Sequence, residues 1–107
     1  MTQTELKDIL METGLPVAYM AFRDPEIPDL PFIVYQDIGT DNFGADNKVY
    51  YPQTRIQIDL ITRFHDETKE KVLEAVLDGH DLFWQREPEF DSNEDYYRVT
   101  YEVTIGG

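Results

Sequence analysis

The sequence has no cysteine, which excludes disulfides, thiolate nucleophiles and sulfur-ligated metal sites. Serine is nearly absent as well, because Ser92 is the only one and it is remote along the chain from both histidines. No Gly-x-Ser-x-Gly motif surrounds it, and the scattered glycines form no phosphate-binding loop. The sequence therefore predicts a fold held by packing, with no catalytic residue and no cofactor-binding residue.

Basic residues are also few, with 9 against 22 acidic residues, a formal net charge of -13 at pH 7 and a pI near 4.2. Duplex DNA and anionic membrane surfaces repel such a chain, so we expect no direct nucleic-acid binding. Long apolar runs are missing too, since no stretch approaches the ~20 residues of a membrane span and the acidic N-terminal segment is unlike a signal peptide. We expect no membrane association and a default location in the cytoplasm of the producing cell.

What is present suffices for one modest core. Hydrophobic residues make up 41% of the chain and aromatic residues 13%, which is too apolar for a disordered protein. A chain of 107 residues is the usual size of one domain. We expect a single domain over residues 1–107.

Two helices are predicted from capping and periodicity. Thr2 and Glu5 have the spacing of a capping box, and Gly14 marks the end of this first helix. Asp66 is a good N-cap for a second helix that ends between Asp78 and Leu82. Their apolar stripes are Leu6, Ile9 and Leu10 in the first and Val72, Leu73, Val76 and Leu77 in the second.

Strands are predicted at 17–22, 32–38, 49–51 and 55–63, and from Tyr96 onward. In the fourth, Ile56, Ile58 and Leu60 share one face, and the last strand alternates most regularly, which predicts a central position. The proline-containing stretch 23–31 is predicted to be extended, and 39–48 and 87–95 to be loops. Together these elements predict an α+β fold, with a single antiparallel or mixed sheet of about four to five strands and two helices packed on one face.

The histidines are the obvious candidates for chemistry, but their contexts favour structural roles. His65 is interpreted as a solvated turn residue and His80 as a residue favoured by the C-terminal dipole of a helix. Asp78, His80 and Asp81 could hold a metal, although no second ligand cluster at a recognised spacing accompanies them. Paired carboxylates carry little information in a chain with 22 of them. No metal ligand is predicted.

The aromatic residues favour a binding function, because seven tyrosines, six phenylalanines and one tryptophan exceed the needs of so small a core. Adjacent tyrosines on a strand face opposite ways, so at least one of each pair lies outside the core. They are either interface anchors or cross-strand pairs on a wet sheet face. Our candidate partner-interface residues are Asp41, Asn42, Phe43, Asp46, Asn47, Tyr50, Tyr51, Trp84 and Phe90.

The chain resembles a family of small proteins from the structural gene module of long-tailed phages and prophages of Gram-positive bacteria. The most specific stretch is DNFGADNKVY, followed by the alternating RIQIDLITR, and GLPVAYMAF and YYRVTYEVTI extend the likeness over most of the chain. It departs from the family pattern at RFHDET and HDLFWQREPEF. Such proteins are similar to tail terminator and tail-completion proteins, which form a ring at the head-proximal end of the tail tube and join it to the head connector.

The resemblance implies a non-enzymatic virion protein of the neck or tail, present in the host cytoplasm during assembly. Its implied partners are tail-tube and head-tail connector proteins and further copies of itself in a ring, whether or not it is monomeric in solution. An acidic lumen would let DNA pass without sticking. The alternative function is an acidic phage protein that mimics DNA to inhibit a host DNA-processing enzyme, and a third hypothesis is a hydrolase with a metal at His80.

Overall fold

The structure is a computed structural model that describes residues 1–20, 29–40, 44–45, 48–49, 53–89 and 96–106. Its helices are α1 (Gln3–Met11) and α2 (Glu67–Gly79). Its strands are β1 (Val17–Tyr19), β2 (Phe32–Thr40), β3 (Gly44–Ala45), β4 (Lys48–Val49), β5 (Gln53–Thr62), β6 (Trp84–Glu89) and β7 (Tyr97–Gly106).

Five strands form one mixed sheet in the order β1-β2-β5-β7-β6, and β3 pairs separately with β4. Only the β1–β2 pair within this sheet is parallel, and the other neighbours are antiparallel. The predicted α+β fold with one sheet and two helices is confirmed. The last strand also has the predicted central position, because β7 lies between β5 and β6.

Both helices begin where the capping patterns predict. The Thr2 hydroxyl accepts a hydrogen bond from the Glu5 backbone N–H at 3.1 Å, and Asp66 accepts one from the Lys69 backbone N–H at 3.2 Å. Gly14 has a φ of 81°, a left-handed conformation that follows the end of α1 without strain in a residue lacking Cβ. Neither helix is long and apolar enough to cross a membrane within the part of the chain described.

The core lies between the helices and one face of the sheet. Its members on the central strands alternate along the sequence, so the predicted inward positions of β5 and β7 are confirmed. From α1 come Leu6, Ile9 and Leu10; from the sheet Ile33, Tyr35, Ile56, Ile58, Leu60, Val99, Tyr101, Val103 and Ile105; and from α2 and the turn after it Leu73, Leu77 and Leu82.

The segment after α2 corrects one prediction. Residues 87–89 are strand, not loop, because β6 pairs antiparallel with β7 from Trp84 opposite Val103 to Glu89 opposite Arg98. Prolines and charged residues are tolerated in a strand at a sheet edge, where one side of the backbone needs no partner. Residues 90–95 of this predicted loop lie outside the described residues.

The strand boundaries before β5 also differ from prediction. β1 ends at Tyr19, and Met20 follows with a φ of 65°. β2 continues to Thr40 past an irregularity between Asp37 and Gly39, and the short β3 and β4 interrupt the predicted 39–48 loop. The extra β2 residues find partners because β5 begins early enough to pair with them, with Thr54 opposite Thr40.

The inner stripe of α2 differs from the apolar pattern as well. Glu70 is only 3% exposed and lies in line with Leu73 and Leu77, whereas Val72 is exposed. Spacings of three and four residues place Glu70, Leu73 and Leu77 on one helix face. The buried face of α2 therefore begins with the carboxylate of Glu70, which the predicted apolar stripe did not include.

Candidate interaction surface

The sheet face opposite the helices carries mostly polar side chains, and we call it the open face. Strand register places Gln57 beside Glu102 and Gln85, and Asp59 beside Val34, Thr100 and Glu87. In the described ranges no helix packs against this face. Among the described residues it is therefore a broad surface on which the chain could meet a partner.

A shallow groove crosses the open face over β5, β7 and β6. It consists of two adjoining depressions of about 210 and 240 Å³ that share Arg55, Gln85 and Glu102. Phe83 and Thr104 complete the first, and Ile38, Gln57, Glu87 and Thr100 complete the second. The open-face groove thus has apolar side chains at both ends and polar groups along its floor.

An ion pair lies in the shared floor of the groove. Arg55 Nε approaches Glu102 Oε1 to 2.6 Å, and both side chains are partly exposed. Because the two charges offset one another, the floor is less acidic than the chain as a whole. A partner docking there would meet a planar guanidinium and a carboxylate without facing the full negative charge of the protein.

Asp59 is nearly inaccessible although it lies on the open face, with an exposure of 6%. Its Oδ1 accepts a 2.8 Å hydrogen bond from the Thr100 hydroxyl, and both oxygens lie 3.2 Å from the Gln57 amide nitrogen. These bonds compensate the desolvation of the carboxylate and tie β5 to β7 on this face.

Among the large apolar residues that the structure describes, Phe83 has the most exposed side chain, at 79%. It immediately precedes β6, between the buried Leu82 and the half-buried Trp84. Successive side chains of an extended chain point to opposite faces, so packing Trp84 toward the helices places Phe83 on the open face. An aromatic ring held on a rigid sheet is the usual form of an interface anchor.

Behind β6, on the helix side, a charged cluster joins β6 to α2. Arg86 Nη1 lies 2.8 Å from Glu70 Oε1 and 3.8 Å from Glu74 Oε2. Burial alone would lower the pKa of the Arg86 guanidinium, but the Glu70 carboxylate, helped by Tyr101 and Glu74, raises it overall. The guanidinium therefore remains charged and compensates the buried Glu70.

Tyr101 completes this cluster from β7. Its hydroxyl donates a 2.7 Å hydrogen bond to Glu74 Oε2. Burial raises the pKa of the Tyr101 phenol, and the hydrogen bond to the Glu74 carboxylate raises it further. The phenol is thereby fixed as a donor, and three elements are joined by polar contacts in a largely apolar layer.

His65 lies at the outer end of the same cluster. Its Nε2 is 3.0 Å from Glu70 Oε2, a contact that is an ion pair only when the imidazole is protonated. Oε2 accepts no hydrogen bond from the part of the chain that the structure describes. His65 is exposed and close to the Tyr97 ring, so the prediction of a turn residue holds, although it has a carboxylate neighbour.

The metal hypothesis gains no support from the positions of its residues. Asp78 accepts the indole N–H of Trp84 at 2.9 Å, whereas His80 Nε2 lies 2.8 Å from Glu12 Oε2 at the end of α1. No three His, Asp or Glu side chains converge into a metal-binding group in the described ranges. His80 caps α2, as the sequence predicts for a histidine at a helix end.

Among the predicted interface residues, the structure describes only Trp84. It is half-buried on the helix side, where its ring meets that of Tyr101 edge-on at 5.6 Å between centroids. The other candidates lie outside the described residues: Asp41, Asn42, Phe43, Asp46, Asn47, Tyr50, Tyr51 and Phe90. Their interface role remains a prediction.

Sequence patterns missed the residues that the structure places in the groove. Leu82, Phe83 and Trp84 form one bulky apolar run in the sequence, yet their burial differs sharply. Period-two alternation across these three residues was the signal that could have separated Phe83 from its neighbours. Pairing Arg55 with Glu102 required knowledge that β5 and β7 are adjacent.

The sequence matches no protein-family model and no curated protein.

Proposed function

We propose that the protein is a structural component of the phage neck or tail, a tail terminator or tail-completion protein. In this role it assembles at the head-proximal end of the tail tube and helps to join head and tail. Such a protein works by fitting against copies of itself and against tail-tube and connector proteins. It is made in the host cytoplasm and becomes part of the virion.

The observation that supports this proposal most directly is the open face with its exposed Phe83. Its aromatic ring is 79% exposed beside a groove on a rigid sheet. In a subunit of a larger assembly such a ring becomes buried on contact and serves as an anchor. We take the kind of assembly from the resemblance of DNFGADNKVY and the flanking strands to phage tail proteins.

The charge pattern favours this function over mimicry of DNA. A DNA mimic presents many free carboxylates as a dense array that a nucleic-acid-binding enzyme can engage. Several carboxylates of the described surface are instead bonded to the protein itself, as Glu12 is to His80, Asp78 to Trp84 and Glu102 to Arg55. These three carboxylates already have partners within the fold, so they do not form a dense array of free charges.

Deleting the gene from its phage tests the proposal, with electron microscopy of the lysate as the readout. We expect unjoined heads and tails, or tails of irregular length, and restoration when the gene is supplied in trans. Virions with joined tails of normal length would contradict the proposal. Inhibition of a nuclease or polymerase at low salt by the purified protein would then favour the DNA-mimic alternative.

A further inference from the structure

The outer strand β1 has backbone groups that point away from the sheet. The N–H of Ile33 donates to the carbonyl of Pro16 at 2.8 Å, and the N–H of Met20 donates to the carbonyl of Tyr35 at 2.7 Å. Backbone groups of successive strand residues point to opposite sides. Val17 and Tyr19 therefore direct their N–H and C=O groups outward, where no strand in the described ranges pairs with them.

This edge is protected by its shortness but lacks two other common protections against pairing with another strand. β1 contains neither proline nor a charged residue, and Tyr19 is 45% exposed. The opposite edge, β6, is the better protected one, because it carries charged residues such as Arg86 and Glu87 and because Pro88 has no N–H to donate. The four residues 84–87 before it keep their backbone donors and exceed the three-residue length of β1.

The strand directions make the two edges complementary. β1 and β2 run parallel, and each of the next three neighbours reverses direction, so β6 runs opposite to β1. If the sheet of one copy continued into that of the next, β1 would meet β6 in antiparallel orientation. Antiparallel pairing needs no crossover connection and has the more stable hydrogen-bond pattern.

The side chains of the two edges are also compatible. Tyr19 pairs with Tyr35 and therefore faces the helix side, and Trp84 and Arg86 face that side through their pairing with Val103 and Tyr101. Residues directly opposite in an antiparallel pair share a face, so Tyr19 would meet Trp84 or Arg86 of the second copy. Either contact is favourable, as an aromatic pair or as a cation-π pair.

We propose that β1 is a docking edge for β6 of a second copy of this chain, so that subunits join head to tail through one continuous sheet. This inference rests on the proposed function, because a heterologous contact of this kind closes into a ring when the rotation between subunits permits. The pairing would use 17–19 of one copy and 84–87 of its neighbour.

Disulfide cross-linking tests the contact with two variants, Ala18→Cys/Gln85→Cys for Tyr19 opposite Trp84 and Ala18→Cys/Glu87→Cys for Tyr19 opposite Arg86. In each variant the two positions face the open side, through the pairing of Ala18 with Val34, Gln85 with Glu102 and Glu87 with Thr100, and the native chain has no cysteine to interfere. Within one copy they are separated by four strand spacings, roughly 19 Å, which is too far for a disulfide. Any bond between them must therefore join two copies.

The matched control is Ala18→Cys/Val72→Cys, because Val72 is exposed and lies on α2, outside both of the edge strands. After mild oxidation we expect a ladder of reducible dimers and larger species, with a cross-linked fraction roughly tenfold above that of the control, since docking raises the local concentration of the paired thiols. Hydrogen exchange should show slower exchange of the Val17 and Tyr19 amides as protein concentration rises.

The outcomes separate this inference from the proposed function. Cross-linking no stronger than in the control for both cysteine pairs, or unchanged exchange of the Val17 and Tyr19 amides, overturns the β1–β6 contact and leaves the deletion test to decide the tail role. Strong cross-linking combined with normal virions after gene deletion supports the contact and removes the tail role.

Discussion

The indole N–H of Trp84 donates a 2.9 Å hydrogen bond to Asp78 Oδ1, and this bond joins the start of β6 to the last turn of α2. Asp78 itself is exposed, so water can replace the indole as its donor. The bond therefore directs the Trp84 ring toward Tyr101 more than it stabilises the fold.

Replacement of Trp84 should separate the two contributions. Trp84→Phe keeps an aromatic ring against Tyr101 but loses the N–H donor and part of the half-buried indole surface, so we expect a loss of about 1–2 kcal/mol in the free energy of unfolding. Trp84→Ala should lose about 3 kcal/mol or more, because the ring packing is lost as well. Urea denaturation followed by circular dichroism measures both. Equal losses in the two variants would show that the hydrogen bond, not the ring, dominates.

The buried Glu70–Arg86 pair predicts a non-additive pair of substitutions. Arg86→Met leaves the Glu70 carboxylate without its cation, and we expect a loss of about 1–3 kcal/mol, reduced from the value for fully buried pairs because Arg86 is partly exposed. Glu70→Leu extends the apolar stripe of Leu73 and Leu77. The double variant Glu70→Leu/Arg86→Met should therefore be at least as stable as the wild type.

A double-mutant cycle by urea denaturation tests this coupling. The informative control is Lys71→Met, which removes a neighbouring exposed cation of α2 and should change stability by no more than about 0.5 kcal/mol. Strictly additive losses at Glu70 and Arg86 would mean that the pair contributes nothing specific.

Tyrosine ionisation should reveal the buried phenols. Burial raises the pKa of Tyr101, as does its bond to Glu74; burial also raises the pKa of Tyr35, with Tyr19 and Asp8 adding to the shift. A phenol with a raised folded-state pKa stabilises the fold fully below the ordinary tyrosine pKa of about 10. That contribution is lost as the pH rises through the folded pKa.

We therefore expect the folded protein to lose stability above about pH 10 and these two phenols to ionise only at higher pH or on unfolding. Tyrosinate absorbance recorded against pH, for the wild type and for Tyr101→Phe, measures the ionisation of these phenols. The variant should lack one late-ionising group. Identical late absorbance in the two proteins would contradict the assignment to Tyr101.

Phe83 should matter for association and not for folding. Because its ring is exposed, Phe83→Ser should change the free energy of unfolding by no more than about 0.5 kcal/mol. Self-association or tail-tube binding should weaken by roughly thirtyfold if Phe83 is an anchor worth about 2 kcal/mol. Phe64→Ser is the matched control, since Phe64 is 67% exposed but lies in the turn before α2. Light scattering coupled to size exclusion should show a defect in the Phe83 variant alone.

The elements that could be predicted best are those with a local sequence signal, either alternation of apolar and polar residues or a helix cap. β5 and β7 alternate because one face of each contacts the core, and Thr2 and Asp66 cap helices through bonds to residues three positions away. β6 was missed because its edge position permits a charged, proline-containing sequence with no apolar alternation. Its backbone pairing with β7, from Trp84 opposite Val103 to Glu89 opposite Arg98, defines it as a strand.

The candidate surface was less predictable for a similar reason. Glu70 is buried because Arg86 approaches it from another element, and the groove exists because Arg55 and Glu102 become neighbours when β5 pairs with β7. Local sequence contains neither relationship. Phe83 is exposed because its neighbour Trp84 packs on the helix side, where it contacts Asp78 of α2. That contact, too, joins residues of different elements.

The central position of β7 has a consequence for synthesis on the ribosome. β7 follows β2, β5 and β6 in the sequence, yet it lies between β5 and β6 and contributes Val99, Tyr101, Val103 and Ile105 to the core. Until residues 97–106 have emerged, β6 has no strand to pair with and β5 exposes one edge. Before then β1, β2 and β5 can pair with one another, but the half of the sheet made by β7 and β6 cannot form, and a chaperone that shields apolar segments would act on the nascent chain mainly during that interval.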